Sequence, residues 1–282
     1  MTGAALRAPA LLARSVAYEF RKRIQFRAGF LVREVLNGTV EPLVMLFVYT
    51  ALYRSAGQAA EGGESAALGG WTYAEIVRYV AGLVVVRKLV FHNRGLDLAT
   101  EIFEGRVTKY LVMPFRFFVL LQGRFVQFTL MQLGIAGLVW GLGYLLAPAH
   151  WLVPVSLEAT AQALVLVLMG SYCCFLVYFI LNALAFWLDV IWSLLVMAWF
   201  VISFTGGALV PVSQMPAALF EVLSLGFPYW TITGPIELLM GRLGTVDFLN
   251  GVGILGAQLV LLELARRAIW RRGLARYVGA GM

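Results

Sequence analysis

The chain is long, apolar and basic: it has 282 residues, of which 61% are hydrophobic and 13% charged, and its formal net charge is +7. Soluble domains are about 45–50% apolar even when glycine is counted, and about 25% charged. A soluble chain of this composition would expose apolar patches far beyond what a monomer tolerates, so a soluble enzyme is excluded, as is disorder. The composition predicts an all-α integral membrane protein, because its apolar runs are long enough for spanning helices.

The first 28 residues predict a helix that lies in the inner membrane interface. Apolar residues recur in it at helical spacing, among scattered basic residues. The apolar positions are Leu11, Leu12, Val16, Phe20 and Ile24. The segment lacks the continuous apolar region and cleavage site of a signal peptide. The alternative is a solvated basic tail.

Six apolar runs predict six membrane-spanning helices. They cover residues 30–53, 73–91, 117–146, 154–184, 190–210 and 248–264. A span needs about 20 residues, so the third and fourth runs leave room for tilt or for protruding ends. The whole chain, 1–282, is therefore predicted to be a single transmembrane domain.

The distribution of basic residues predicts the orientation. Of the 22 Lys and Arg residues, 17 lie in the N-terminal segment, between Arg87 and Arg116, or in the C-terminal tail. Cytoplasmic segments of membrane proteins carry an excess of Lys and Arg. Both termini are therefore predicted to be cytoplasmic, which agrees with an even number of spans.

A short amphipathic helix is predicted at residues 95–105, between the second and third spans. Leu96, Ala99, Phe103 and Val107 recur at steps of three or four residues, and acidic residues recur on another face. The acidic residues are Asp97, Glu101 and Glu104. Such a helix can dock into a groove of a soluble partner. The alternative is a connector that lies on the lipid headgroups.

A broken apolar segment precedes the sixth span, at residues 211–243. It has prolines at positions 211, 216, 228 and 235 among apolar and aromatic residues. The segment is too interrupted by proline for one span and too apolar for a free loop. It predicts a pair of short helices that dip back into the outer leaflet, where neighbouring protein must cover the irregular backbone. The alternative is an apolar loop packed on the rim of the bundle.

Inserting an ionisable residue into the membrane within a span costs about 2.5–3.5 kcal/mol near the bilayer centre. Glu41 lies about 16 Å into the first span. It is predicted to point into the bundle and to pair with Arg87 or Lys88, in a structural or a substrate-binding role. Glu75 is also placed to pair with Arg78 on one face of the second span.

Motifs for bond chemistry are missing from the sequence. It contains no GxxxxGK[ST] phosphate-binding loop and no HExxH motif, and its two histidines stand far apart. The adjacent Cys173 and Cys174 offer neither a favourable disulfide nor metal-ligand spacing. The sequence therefore predicts no catalytic residue and no metal site. In a membrane protein, the positive charge indicates cytoplasmic loops rather than a nucleic-acid partner.

The order of these elements resembles the permease subunit of an ABC-2 type transporter, and three motifs strengthen the resemblance. They read GGWTYAEIVRYVAGL at 69–83, IFEGRVTKYLVMP at 102–114, and FTGGALVPVSQMPAALFEVLSLGFPYWTITGPIELLMGRL at 204–243. Together they resemble a bacterial sub-family often encoded as two permeases beside one ATPase. The resemblance covers nearly the whole chain.

The resemblance implies roles for three groups of residues. The helix at 95–105 would be the coupling helix, with ATPase contacts at Asp97, Glu101, Phe103 and Glu104. The N-terminal helix would be a connecting helix, with further ATPase contacts at Arg21, Lys22 and Arg23. The broken segment would close the outer exit of the pathway, with gate residues Pro211, Pro228 and Glu237.

The implied function is ATP-driven export of a hydrophobic or amphiphilic substrate, such as a drug, peptide or lipid-like molecule. This chain would bind no cofactor, because ATP and Mg would sit on two copies of a partner ATPase. A second permease, identical or paralogous, would complete a dimer in the bacterial inner membrane. The alternatives are a secondary transporter or channel that needs no ATPase, and a membrane scaffold that recruits a soluble partner.

Overall fold

The computed structural model describes residues 16–17, 44–55, 70–91, 98–108, 117–146 and 156–277, and these are almost entirely helical. The first helix, α1, covers residues 44–55. The others are α2 (Tyr73–Val90), α3 (Leu98–Phe103), α4 (Phe117–Leu146), α5 (Leu157–Ala183), α6 (Trp192–Thr205), α7 (Ala217–Ser224), α8 (Phe227–Thr231), α9 (Thr233–Leu239) and α10 (Thr245–Arg276). Single 3₁₀ turns follow α5, at Leu184–Phe186, and precede α7, at Val212–Gln214.

Three segments of the described chain are long and apolar enough to cross a membrane: Phe117–Leu138, Leu157–Phe186 and Thr245–Arg276. Helix α6 is apolar but has only 14 residues, about 21 Å, which is less than the hydrocarbon thickness of a bilayer. Helix α2 has 18 residues and carries four charged side chains.

Two helices differ in length from the apolar runs that predicted them. Helix α6 is shorter than the run at 190–210 because the chain turns after Thr205, where Gly207 has a φ of +83° that favours glycine. Helix α10 extends beyond the run at 248–264 to Arg276. The arginines expected in a C-terminal tail therefore lie on this helix instead.

Side-chain contacts give the relative directions of the long helices. Helix α4 runs antiparallel to α5, because Phe118 contacts Phe179 and Phe125 contacts Tyr172, with ring centroids 5.3 and 5.5 Å apart. Helix α10 runs parallel to α5. Near their starts, Gln162 Nε2 lies 3.4 Å from Thr245 Oγ1, and near their ends α5 contacts Trp270. Helices α4 and α5 thus run in opposite directions, whereas α5 and α10, between which the apolar helix α6 lies in the chain, run in the same direction.

The two ends of the bundle are built from different elements. At one end, α3, the last turns of α5 and α10 and the first turn of α4 share a buried aromatic and aliphatic cluster, and we call this the α3 end. Toward the other end, the short helices α8 and α9 pack between α2, α5 and α10. We call residues 227–239 the α8–α9 unit.

Candidate functional site

Helix α3 is fixed to the end of α5 by its apolar face. Leu98, Ala99 and Ile102 are buried, at 2%, 8% and 5% exposure. The Ala99 N–H donates to Oδ1 of Asn182 on α5, at 3.2 Å. The helix ends at Phe103, and Gly105 in the turn that follows has a φ of +69°, a conformation that favours glycine. These contacts attach α3 to the end of α5, and the opposite face of α3 points away from the bundle.

The outward face of α3, in which we include the turn that follows it, carries one aromatic residue and two acids. Phe103 was expected on the apolar face with Ala99, but it is 43% exposed, and Ile102 completes the buried face instead. Glu104 is exposed and forms an ion pair with Arg106, while Glu101 is half-buried. The surface thus combines an apolar anchor with negative charge. Asp97 lies outside the described residues, as do Arg21, Lys22 and Arg23.

The predicted intramembrane pairing involves a residue that the structure does not describe. Glu41 lies outside the described residues, so its pairing with Arg87 or Lys88 stays a prediction. Both basic residues are half-buried in the last turn of α2. The Arg87 guanidinium carbon lies 6.0 Å from the ring centroid of Phe91.

The α8–α9 unit is buried within the bundle, in contrast to α7, which has no buried residue. Pro228 is buried in the first turn of α8, where its missing N–H leaves no bond unmade. Pro211 is also buried, just before the 3₁₀ turn Val212–Gln214. The unit contacts α5 at Gly170, which is 13 residues, or about 20 Å, beyond the start of that helix.

Three close helix approaches at glycines hold this unit. A Cβ placed on Gly170 would collide with the Thr231 side chain, 2.6 Å from its Cβ atom. A Cβ on Gly206 would lie 2.9 Å from the Pro228 carbonyl oxygen. A Cβ on Gly251 of α10 would overlap the Trp230 ring. Helices α5, α6 and α10 therefore approach the unit more closely than any side chain would permit.

Buried hydrogen bonds fix the start of α9 to two other helices. The Tyr79 hydroxyl of α2 donates to the Gly207 carbonyl at 2.8 Å and lies 2.9 Å from Thr233 Oγ1. The Thr233 hydroxyl donates to the Gly206 carbonyl at 2.8 Å. These bonds satisfy backbone carbonyls where α6 ends, as a buried helix end requires.

Glu75 has a different partner from the one expected. Its carboxylate pairs with Arg242 at 2.6 Å, in the turn between α9 and α10, rather than with Arg78. The same carboxylate accepts the backbone N–H of Thr72 and so caps α2. The Arg242 guanidinium carbon lies 3.9 Å from the centroid of the Trp71 ring. Glu75 therefore caps the N-terminus of α2, and its cationic partner is Arg242, 167 residues further along the chain.

Glu237 is a buried carboxyl group in the α8–α9 unit. It is 3% exposed, and the Tyr229 hydroxyl donates to its Oε2 at 3.0 Å. Burial raises the pKa of Glu237, and the hydrogen bond from Tyr229 and the charge of Arg242 offset only part of that effect. The ionised carboxylate is thus disfavoured in the folded protein.

Replacing Glu237 with glutamine is expected to stabilise the protein at neutral pH. Because the pKa of Glu237 is raised on folding, its ionisation destabilises the folded state as pH rises from the ordinary glutamate value through the raised one. Thermal unfolding should be measured from pH 5 to pH 8, and the stability of Glu237→Gln relative to wild type should be greatest at pH 8. Glu221→Gln, on the exposed helix α7, is the control. Parallel pH curves for wild type and Glu237→Gln would contradict the argument.

Several structurally important residues were not identified from the sequence. Asn182 is one of the few polar residues in an otherwise apolar run, and that contrast was the available signal. No local sequence pattern around Gly170 or Thr231 indicates that these two residues are in contact. Within the described part of the chain, no group of three His, Cys, Asp or Glu residues is placed to hold a metal ion.

The helical bundle and its apolar composition define an integral membrane protein. A family model described as ABC-2 family transporter protein matches residues 40–281, so the chain belongs to the ABC-2 transporter family. The search of curated proteins gave no match. Family membership makes this chain a membrane translocation component and implies an ATPase partner within an ABC transporter.

Proposed function

We propose that this chain is the permease subunit of an ATP-driven exporter and that it lines the path of a hydrophobic or amphiphilic substrate. The observation that carries the proposal is α3. It is a short helix with a buried base and an outward face of Phe103, Glu101 and Glu104, in an ABC-2 chain that contains no phosphate-binding loop. A surface of this kind suits docking on a separate ATPase.

The proposed topology has six spans with both termini in the cytoplasm of a bacterium. The directions of α4, α5 and α10 support it, because a third span runs opposite to a fourth and a fourth runs the same way as a sixth, and the placement of positive charge supports it too. Five arginines lie on the last three turns of α10, near α3: Arg266, Arg267, Arg271, Arg272 and Arg276. The excess of Lys and Arg in cytoplasmic segments then makes the α3 end the cytoplasmic end.

The α8–α9 unit is proposed to close the outer exit of the pathway. Its contact with Gly170, about 20 Å along α5, supports a re-entrant position within the outer half of the bundle. Pro211, Pro228 and Glu237 would form part of this gate. Helical breaks at membrane depth are tolerated where protein covers them, and all of the unit except its first and last residues, Phe227 and Leu239, is buried.

In the proposed mechanism the chain performs no bond chemistry. Two ATPase subunits bind ATP and Mg, close on each other, and displace the α3 helices of two permeases, identical or paralogous. The permease dimer then changes between inward-facing and outward-facing arrangements, as packed helices do in other switching proteins. The substrate moves along the surface between the two permeases and leaves past the α8–α9 unit.

Charge reversal on α3 is expected to abolish ATPase binding. The chain would be co-expressed with its neighbouring ATPase and any neighbouring permease, purified through a tag on this chain, and assayed for ATP hydrolysis in lipid. Glu101→Lys with Glu104→Lys should reduce ATPase recovery at least tenfold, because both changes place positive charge beside the Phe103 anchor.

Glu221→Lys is the matched control, because Glu221 is exposed on α7, outside the α3 end. It should leave ATPase recovery unchanged. If wild type recovers no ATPase, the ABC proposal fails, and a secondary transporter or channel becomes the leading function. If the double reversal binds ATPase as wild type does, α3 is not the docking element.

A further inference from the structure

We propose that Asn182 is a positioning residue that ties α3 to α5, so that a displacement of α3 moves α5 and, through it, the α8–α9 unit. The inference rests on the proposed function and adds a route for the motion. In this proposal the buried amide of Asn182 sets the position of α3 along α5.

Asn182 makes two hydrogen bonds from a buried position. It is 1% exposed on the last turn of α5. Its Oδ1 accepts the Ala99 N–H at 3.2 Å, and its Nδ2 donates to the Tyr178 carbonyl at 2.8 Å. The second bond is to the preceding turn of the same helix, so the amide group is oriented before it meets α3.

The bond to Ala99 satisfies a group that α3 cannot satisfy itself. The first four N–H groups of any helix lack a partner within that helix, and Ala99 is the second residue of α3. A capping side chain normally comes from the residue before the helix. Here an acceptor comes from α5, so the start of α3 is attached to a different helix.

This bond gives direction to an attachment that is otherwise apolar. Leu98 and Ile102 pack against α5 and the turn Leu184–Phe186 without a preferred direction, and such packing permits small sliding. A hydrogen bond loses strength steeply with misalignment. Asn182 therefore sets the register of α3 along α5, and an applied displacement turns into movement of α5 instead of slippage.

Helix α5 connects this point to the α8–α9 unit. Gly170 lies twelve residues before Asn182, about 18 Å along the helix, and contacts Thr231 at the end of α8. Close packing transmits displacement because a filled interface cannot absorb it. One continuous helix thus carries a polar attachment to α3 and a glycine contact to the α8–α9 unit.

The test separates ATPase binding from transmission. Spin labels on Val222 of α7 and Val246 of α10, both exposed, would report distances in the complex with and without a non-hydrolysable ATP analogue. In Asn182→Leu, which removes both hydrogen bonds, ATPase recovery and hydrolysis should persist while the nucleotide-induced distance change falls by more than half. Asn182→Asp keeps the acceptor for Ala99, and the response should be intermediate.

Ser171→Ala is the matched control, because Ser171 is also buried on α5 but donates to the Leu89 carbonyl of α2. It should retain the full distance change. A wild-type response in Asn182→Leu, an equal loss in Ser171→Ala, or no response in an assembled wild-type complex would each overturn the inference. Loss of ATPase binding in Asn182→Leu would also overturn it, because Asn182 would then serve docking alone. Failure of wild type to bind ATPase would instead refute the proposed function.

Discussion

Replacing Gly170 on α5 with valine is expected to force α8 away from α5 and to give the largest loss of stability among single changes at the contacts of the α8–α9 unit. A Cβ alone would meet three atoms of Thr231, and valine adds two methyl groups at the same point. Overpacking a core by one or two methyl groups typically costs about 1–3 kcal/mol. The two helices cannot separate freely, because α10 holds the other side of the unit through Gly251 and Trp230.

A set of matched variants tests this expectation by thermal unfolding in detergent. Gly137→Ala on α4 is the control, because a Cβ there meets no atom of the described residues within 4 Å. Alanine favours helix by about 1 kcal/mol over glycine, so this control should be neutral or stabilising. Adding Thr231→Gly to Gly170→Ala removes the colliding atoms and should restore part of the loss. Equal effects of Gly170→Val and Gly137→Ala would refute the close contact.

The sequence predicted the helical class and the family, because both depend on composition and on the order of apolar runs. Helices α2, α4 and α5 occupy nearly the same residues as the apolar runs at 73–91, 117–146 and 154–184. The ends of α6 and α10 were less predictable. Hydrophobicity does not show that Gly207 adopts a positive φ, nor that α10 continues through five arginines to Arg276.

The candidate site was predictable only where local pattern sets it. Periodicity located α3, but not which face is buried, because Ile102 and Phe103 are adjacent and both apolar. The attachment of α3 through Asn182 joins positions 83 residues apart, and the pair Glu75 and Arg242 joins positions 167 apart. Tertiary packing decides such pairs. Short-range rules favoured Arg78 for Glu75, and they did not account for the capping of α2 by that acid.

Replacing Glu263 with leucine is expected to destabilise the protein by about 3 kcal/mol, because it leaves the buried Arg266 without its carboxylate partner. Arg266 is 8% exposed, and its Nε and Nη2 donate to the two carboxylate oxygens of Glu263 at 2.7 and 2.6 Å. Its guanidinium carbon lies 3.6 Å from the ring centroid of Phe118 on α4. Removing the carboxylate leaves the cation inside the bundle with the aromatic face but without its bidentate partner.

Arg266→Met and Arg267→Met separate burial from charge. Both arginines bind Glu263, but the side chain of Arg267 is 64% exposed, so its loss should cost no more than about 1 kcal/mol. Arg266→Met should be milder than Glu263→Leu, because the remaining carboxylate keeps Arg267 and is itself a quarter exposed. The double variant Glu263→Leu with Arg266→Met should recover stability relative to Glu263→Leu alone, since it leaves no buried charge. Unfolding in mixed micelles measures the four free energies, and additive losses in the double variant would show that the two residues act independently.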